Sequence, residues 1–146
     1  MKRRKFIKSC CTAGLGIPFM GTMLLSCESL YYAKVSVKSN KILISKSEFF
    51  KIKDGKTVSR KFVLVKTEKV NFPVCVYQIN EGEFVSSLLM CTHQKCELNV
   101  AGGQYSCPCH GSEFSTSGKV LEGPAEDDLI TYKTKIENEH IIVHLP

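Results

Sequence analysis

The sequence predicts an all-β protein in which many short antiparallel strands pack as a sandwich or small barrel. Three observations lead there. From Tyr31 onward the chain breaks into short runs rich in Val, Ile, Phe and Tyr, residues that suit a pleated surface. Turn dipeptides separate those runs at close intervals. Apolar residues at the three-to-four spacing of a helix are almost absent.

The elements follow in order. Tyr32 to Val37 alternates apolar and polar residues, as a half-buried strand does, and Ser39-Asn40 turns the chain into a second strand, Lys41 to Ser45. Asp54-Gly55 is a hairpin signal, because both residues tolerate the positive φ of a tight turn. Lys61 to Lys66, Val74 to Ile79 and Phe84 to Met90 read as further strands, with Glu81-Gly82 between the last two. Gly102-Gly103 and Ser117-Gly118 mark two more turns. Ile130 to Ile136 and Ile141 to Leu145, joined through Glu137-Asn138, complete the set. At 146 residues, 43% hydrophobic and 23% charged, the chain fits one folded domain plus a short extension.

The chemistry-bearing residues fall between strands. CTHQKC runs from Cys91 to Cys96, and CPCHGSEF from Cys107 to Phe114. Two loops on a rigid sheet can bracket one site. Their patterns are C-x-H-x-x-C and C-x-C-H, so residue chemistry alone leaves several centres open. A tetrahedral zinc site with two Cys and two His would leave two cysteines unexplained. A framework made only of disulfides would leave both histidines unexplained.

Cys91-Thr92-His93 with Cys96, followed by Cys107-Pro108-Cys109-His110-Gly111-Ser112, resembles the Rieske [2Fe-2S] family in its disulfide-containing branch. Gly123-Pro124-Ala125 resembles the proline loop that covers the cluster in that family. The resemblance implies a Rieske-type β-sandwich carrying a small cluster-binding subdomain of two loops. It implies that Cys91 and Cys107 hold one iron as thiolates and that His93 and His110 hold the other. It also implies a disulfide between Cys96 and Cys109, one cysteine from each loop. Two neutral imidazoles in place of two thiolates make one iron less negative, which raises the potential to about −150 to +300 mV from about −400 mV for all-cysteine plant-type clusters.

Ser112 matches the family serine whose hydroxyl donates to a bridging sulfide, and Phe114 stands where high-potential members carry a hydrogen-bonding tyrosine. Phe cannot donate, so the potential is expected below that of the tyrosine-containing relatives. Gln94 replaces an apolar residue typical of quinol-oxidising complexes, beside His93. Glu126-Asp127-Asp128 reads as a solvated turn or as an acidic patch that steers a basic partner. His140 and His144 read as strand histidines, and Cys75 in PVCVYQI as a buried core thiol.

The formal charge of +6 does not make this a nucleic-acid binder. Five cations, Lys2, Arg3, Arg4, Lys5 and Lys8, precede Cys27, and no acid does, so the rest carries 15 cations against 14 acids. A basic start, an apolar stretch from Cys10 to Leu25 and a small residue before Cys27 have the layout of an export signal. Arg3 to Lys8 resembles a twin-arginine signal, and Leu24-Leu25-Ser26-Cys27 resembles a lipobox with Cys27 as the lipidated residue. An uncleaved anchoring helix and soluble export are the alternatives. The expected division is residues 1–26 as export signal, 27–30 as tether and 31–146 as the Rieske domain.

These readings combine into an exported, membrane-associated bacterial protein on the periplasmic or outer face. It transfers single electrons between redox protein partners and is a carrier or an oxidoreductase subunit, not a stand-alone enzyme. The alternatives are the Rieske subunit of a quinol-oxidising cytochrome complex or of a periplasmic molybdenum oxidase of the arsenite type, and a zinc-binding module.

Overall fold

The computed structural model describes residues 30–146, so the expected signal, the tether up to residue 29 and Cys27 lie outside the described residues. Among the described residues no helix is long and apolar enough to cross a membrane. Seven strands make the larger sheet: β1 (Val35–Lys38), β2 (Lys41–Ser45), β5 (Phe62–Val65), β6 (Val74–Asn80), β7 (Glu83–Leu88), β12 (Thr131–Glu137) and β13 (His140–His144). All neighbours are antiparallel, in the spatial order β1-β2-β13-β12-β7-β6-β5.

Alternation explains β2, where Ile42 and Ile44 are fully buried and the residues between them are not. Register extends that face, because Ile44 lies opposite Ile141 and Ile42 opposite Val143. Strands β5 and β6 do not alternate, since both of their faces are covered. Val63, Val65, Val74 and Val76 enter one core with Ile42, Ile44 and Phe49, while Leu64 and Cys75 enter a second core with Tyr105, Cys107 and Phe114. The β5–β6 pair is thus a shared wall, and each fully buried Val or Leu in it contributes roughly 1.5–3 kcal/mol.

The sheet curls until its ends meet. Leu64 N–H in β5 donates to Tyr31 O at 2.9 Å, and Ala33 N–H donates to Leu64 O at 2.8 Å. This pairing is the reason that β1 begins at Val35 and not at Tyr32 as expected. The chain at Tyr32 makes a parallel bridge to Leu64 before it turns to β2.

One 3-10 turn among the described residues, Lys46–Phe49, was not evident in the sequence. Ser45 caps it by accepting Ser47 N–H, and Phe49 is buried edge-on against Phe84 at 4.9 Å. It leads into a separate hairpin of β3 (Phe50–Lys53) and β4 (Lys56–Ser59), turned as expected at Asp54 and Gly55, with φ of 51° and 73°.

Between β7 and β12 the chain inserts a four-stranded sheet: β8 (Asn99–Ala101), β9 (Gln104–Ser106), β10 (Glu113–Ser115) and β11 (Val120–Glu122), ordered β11-β10-β9-β8. Three-residue strands are too short for alternation to reveal, although their turns at Gly102-Gly103 and Ser117-Gly118 are evident in the sequence. The all-β architecture with a small loop-bearing subdomain is as the sequence predicts.

Candidate metal centre

Two loops carry the candidate ligands. The first, residues 91–96, closes at the Met90–Glu97 bridge, and the second, residues 107–112, joins β9 to β10. They are folded alike. Cys91 N–H donates to Cys96 O and Lys95 N–H to Cys91 O, both at 2.8 Å. Cys107 N–H donates to Ser112 O at 2.8 Å, and Gly111 N–H to Cys107 O at 3.0 Å. In each loop the residue four after the cysteine has positive φ: Lys95 at 58° and Gly111 at 80°. Glycine adopts that conformation without strain, whereas lysine does so at a cost of roughly 1–2 kcal/mol. The repeated backbone brings equivalent side chains from the two loops to one place.

The four expected ligands divide by burial. Cys91 and Cys107 are free thiols, 1% and 4% exposed, while His93 and His110 are exposed with ring centroids 5.0 Å apart. Burial pushes the Cys107 thiol up, but backbone N–H groups of Cys109 and His110 and a hydrogen bond with Cys91 outweigh it. Its pKa therefore lies below the ordinary thiol value, which favours the thiolate. Cys75 contrasts with it. Fully buried, its thiol is pushed up to about 12 by desolvation, as an inert core residue requires.

Three ties hold the loops. Cys96 and Cys109 form a disulfide, S–S 2.05 Å, that joins the first loop to the second. Ser112 Oγ, fully buried, accepts Ala125 N–H at 3.0 Å and joins the second loop to the proline loop, in which the Gly123–Pro124 peptide is cis. Thr92 Oγ1 donates to Asp127 O at 2.7 Å and joins the first loop to the proline loop. Each pair of loops therefore has its own link. The proline loop is held in turn by Asp128, whose carboxylate accepts Val120 N–H at 2.9 Å and pairs with Lys119 at 2.6 Å.

Thr92, Asp128 and Lys95 were not singled out from the sequence for these roles. The only available signal was that Lys95 and Gly111 share an offset from their cysteines. Of the acidic turn, Asp128 is anchored as described and Asp127 contributes its carbonyl, which a reading of charge alone does not reveal.

The sulfurs of Cys96, Cys107 and Cys109 lie within 4.8 Å of one another, a spacing that would suit a metal ion. Two of them are already bonded to each other, so that trio offers one thiol. What remains is two thiols on the buried side and two imidazoles on the exposed side. A Rieske [2Fe-2S] cluster takes that donor set, and the residues present fit it. Phe114, fully buried in the core that contains Cys107, brings no donor, and Gln94 is exposed beside His93.

Comparison with known proteins agrees. The chain matches the Rieske [2Fe-2S] domain over residues 42–133. It is 37% identical over 71 residues to the cytochrome b6-f complex iron-sulfur subunit of Chlorobaculum thiosulfatiphilum, covering 47% of this chain and 39% of that protein. It is 41% identical over 56 residues to iron-sulfur subunit 1 of the same complex in Nostoc, covering 37% of this chain and 31% of the relative. The chain thus spans well under half the length of these curated relatives. Among solved structures it is similar to the cyanobacterial plasma membrane Rieske protein of Synechocystis PCC 6803. That match has a TM-score of 0.51 at 40% identity and covers 57% of this chain and 85% of the other. From the matched domain, the fold and the donor set together, the chain belongs to the Rieske [2Fe-2S] domain family, iron-sulfur electron-transfer proteins that carry a [2Fe-2S] cluster.

Proposed function

We propose that this protein is a one-electron carrier, exported and held at a membrane, in which Cys91 and Cys107 ligate one iron and His93 and His110 the other. The observation that carries the reading is the pair of like-folded loops, with thiols inward and imidazoles outward. When bound, the cluster supplies a one-electron couple. The chain's own residues do the rest. The buried cysteines keep water from the inner side, and the disulfide, Ser112 and Thr92 hold the three loops in register. The exposed imidazoles are the groups a redox partner meets first. Ser112 Oγ accepts from Ala125, so its own proton remains to be donated inward.

Residues 1–26 are proposed as the export signal, 27–30 as the tether and 31–146 as the domain. Cys27 is proposed as the lipidated residue, which places the domain on the periplasmic or outer face. A second reading, a subunit of a quinol-oxidising complex, is favoured by the relatives' names, since both are iron-sulfur subunits of the cytochrome b6-f complex. Gln94 weighs toward the carrier, because it places a polar amide next to the exposed imidazole. Low-temperature EPR of the dithionite-reduced protein tests the ligation: a Rieske-type signal with low average g supports it, and two irons per chain without that signal count against it. A colourless chain holding stoichiometric zinc would defeat it. Purification from native membranes separates carrier from subunit, since a subunit leaves with a b-type haem and a carrier without one.

A further inference from the structure

The β3–β4 hairpin lies outside both larger sheets and carries exposed apolar residues. Ile52 is 81% exposed and Phe50 50%. The register places Phe50, Ile52, Thr57 and Ser59 on one face of the ribbon and Lys51, Lys53, Lys56 and Val58 on the other. Lys53 lies directly opposite Lys56, a like-charge pair that is unfavourable unless an anion sits nearby. Residues 46–61 hold six Lys or Arg against Glu48 and Asp54, whereas the other described residues hold nine cations against eleven acids. The positive charge is thus concentrated where the apolar side chains are exposed.

The base of this hairpin is fastened to the start of the described chain. Arg60 N–H donates to Phe49 O, and its guanidinium donates to Glu48 O and Phe50 O. The same guanidinium lies 3.8 Å from the Tyr31 ring centre. Glu48 Oε2 accepts from Tyr31 Oη and from Lys34 N–H, each at 2.9 Å. Tyr31 follows Cys27 by four residues and the last apolar signal residue, Leu25, by six. Even fully extended, six residues reach roughly 20 Å. A chain held in a bilayer through either of those residues brings the hairpin base within that distance of the bilayer.

We propose that the β3–β4 hairpin is a membrane-surface contact, with the face of Phe50 and Ile52 entering the headgroup boundary and the long side chains of Lys51, Lys53 and Lys56, from the other face, reaching around the two-stranded ribbon to anionic phospholipid. The proposal rests on the tethered reading given above. A ribbon with exposed apolar and cationic residues suits a bilayer interface, which accepts protruding apolar groups and attracts lysine. The site loops belong to the other core, so this contact leaves His93 and His110 available to a partner.

The chain contains no tryptophan, so one introduced residue is a unique reporter. The full chain is reconstituted in phosphatidylglycerol–phosphatidylcholine vesicles, with Ile52→Trp in one sample and Leu121→Trp in another. Leu121 is 57% exposed in the inserted sheet and serves as reference. Brominated phospholipid should quench the indole fluorescence of the Ile52→Trp chain severalfold more than that of the reference. Lys51, Lys53 and Lys56 all changed to Glu in the Ile52→Trp chain should bring quenching down to the reference level, and Phe50→Trp should repeat the Ile52→Trp result. A chain that floats with the vesicles while both hairpin reporters are quenched no more than the reference overturns the proposal and leaves the hairpin as a contact for a protein. A chain that does not float at all overturns the tethered reading, and this proposal with it.

Discussion

Ser112 is the residue whose removal should have the most specific consequence. Its Oγ is fully buried and is the acceptor for Ala125 N–H, on a residue only 4% exposed. Ser112→Ala removes the acceptor without offering another, so the amide is left buried and unpaired. That costs about 1–3 kcal/mol, the desolvation penalty of one backbone N–H. In local opening, this corresponds to roughly 5- to 150-fold faster exchange of that amide. Hydrogen exchange read by mass spectrometry over overlapping peptides of residues 118–130 measures it. Val120 N–H, held by Asp128 Oδ1 in the same segment, should keep its protection. On the proposed ligation the variant also loses a donor toward the cluster, so its midpoint by protein-film voltammetry should fall, by roughly 40 mV for each 1 kcal/mol lost. Unchanged exchange at Ala125 would refute the idea that Ser112 fastens the proline loop, whatever the potential does.

Four further outcomes are expected. Phe114→Tyr should raise the midpoint by roughly 40 mV if the added hydroxyl donates to a ligand sulfur, and an unchanged or lower value in voltammetry would contradict that role. Replacing Cys96 and Cys109 by Ala opens a loop with a sequence separation of 13, which costs about 3 kcal/mol in the chain-entropy account. Calorimetry should show a Tm lower by roughly 12 °C, with earlier loss of the visible cluster spectrum. Gly118→Ala should destabilise by about 2 kcal/mol, because φ is +85° and the new Cβ would lie 3.1 Å from Thr131 Cγ2 and 3.3 Å from Leu129 Cβ; denaturant unfolding that matches the parent would count against this. The Asp128 carboxyl is held below its ordinary range by the hydrogen bond from Lys119 and by Val120 N–H. A depressed folded pKa gives stability that is present above the unfolded pKa and lost as pH falls through the folded one. Asp128→Asn should therefore melt below the parent at neutral pH, and the gap should close on acidification; a constant gap across that range would be the contrary result.

How far the sequence reaches differs between the two halves of the molecule. In the larger sheet one face of β2 is buried against one core, so alternation reports it and Lys41–Ser45 is found with the same limits. β5 and β6 have no alternation to report, and composition alone marks them as strands. In the inserted sheet, strands of three residues carry no period, and only the turns between them are visible. The site residues stand out before any fold is known, but residue chemistry alone leaves zinc and disulfide alternatives open, and only the resemblance to the Rieske family chooses between them.

The sequence by itself determined the all-β class and the main turns, and its resemblance to the Rieske family named the residues proposed to hold a cluster. These rest on local facts: a period of two, residues that tolerate positive φ, and ligand types at fixed spacing. Tertiary structure alone decided that β5 and β6 are a wall between two cores and that Tyr31 closes the sheet on Leu64. It also decided that Thr92, Ser112 and Asp128 tie the loops, and that Lys95 takes the conformation of Gly111. Each of those depends on residues far apart in the chain or on a backbone angle, and neither is written in residue type. Hydrogen bonds from Thr92 to Asp127 and from Ala125 to Ser112 exist because the antiparallel order of the inserted sheet brings three loops to one end of its strands.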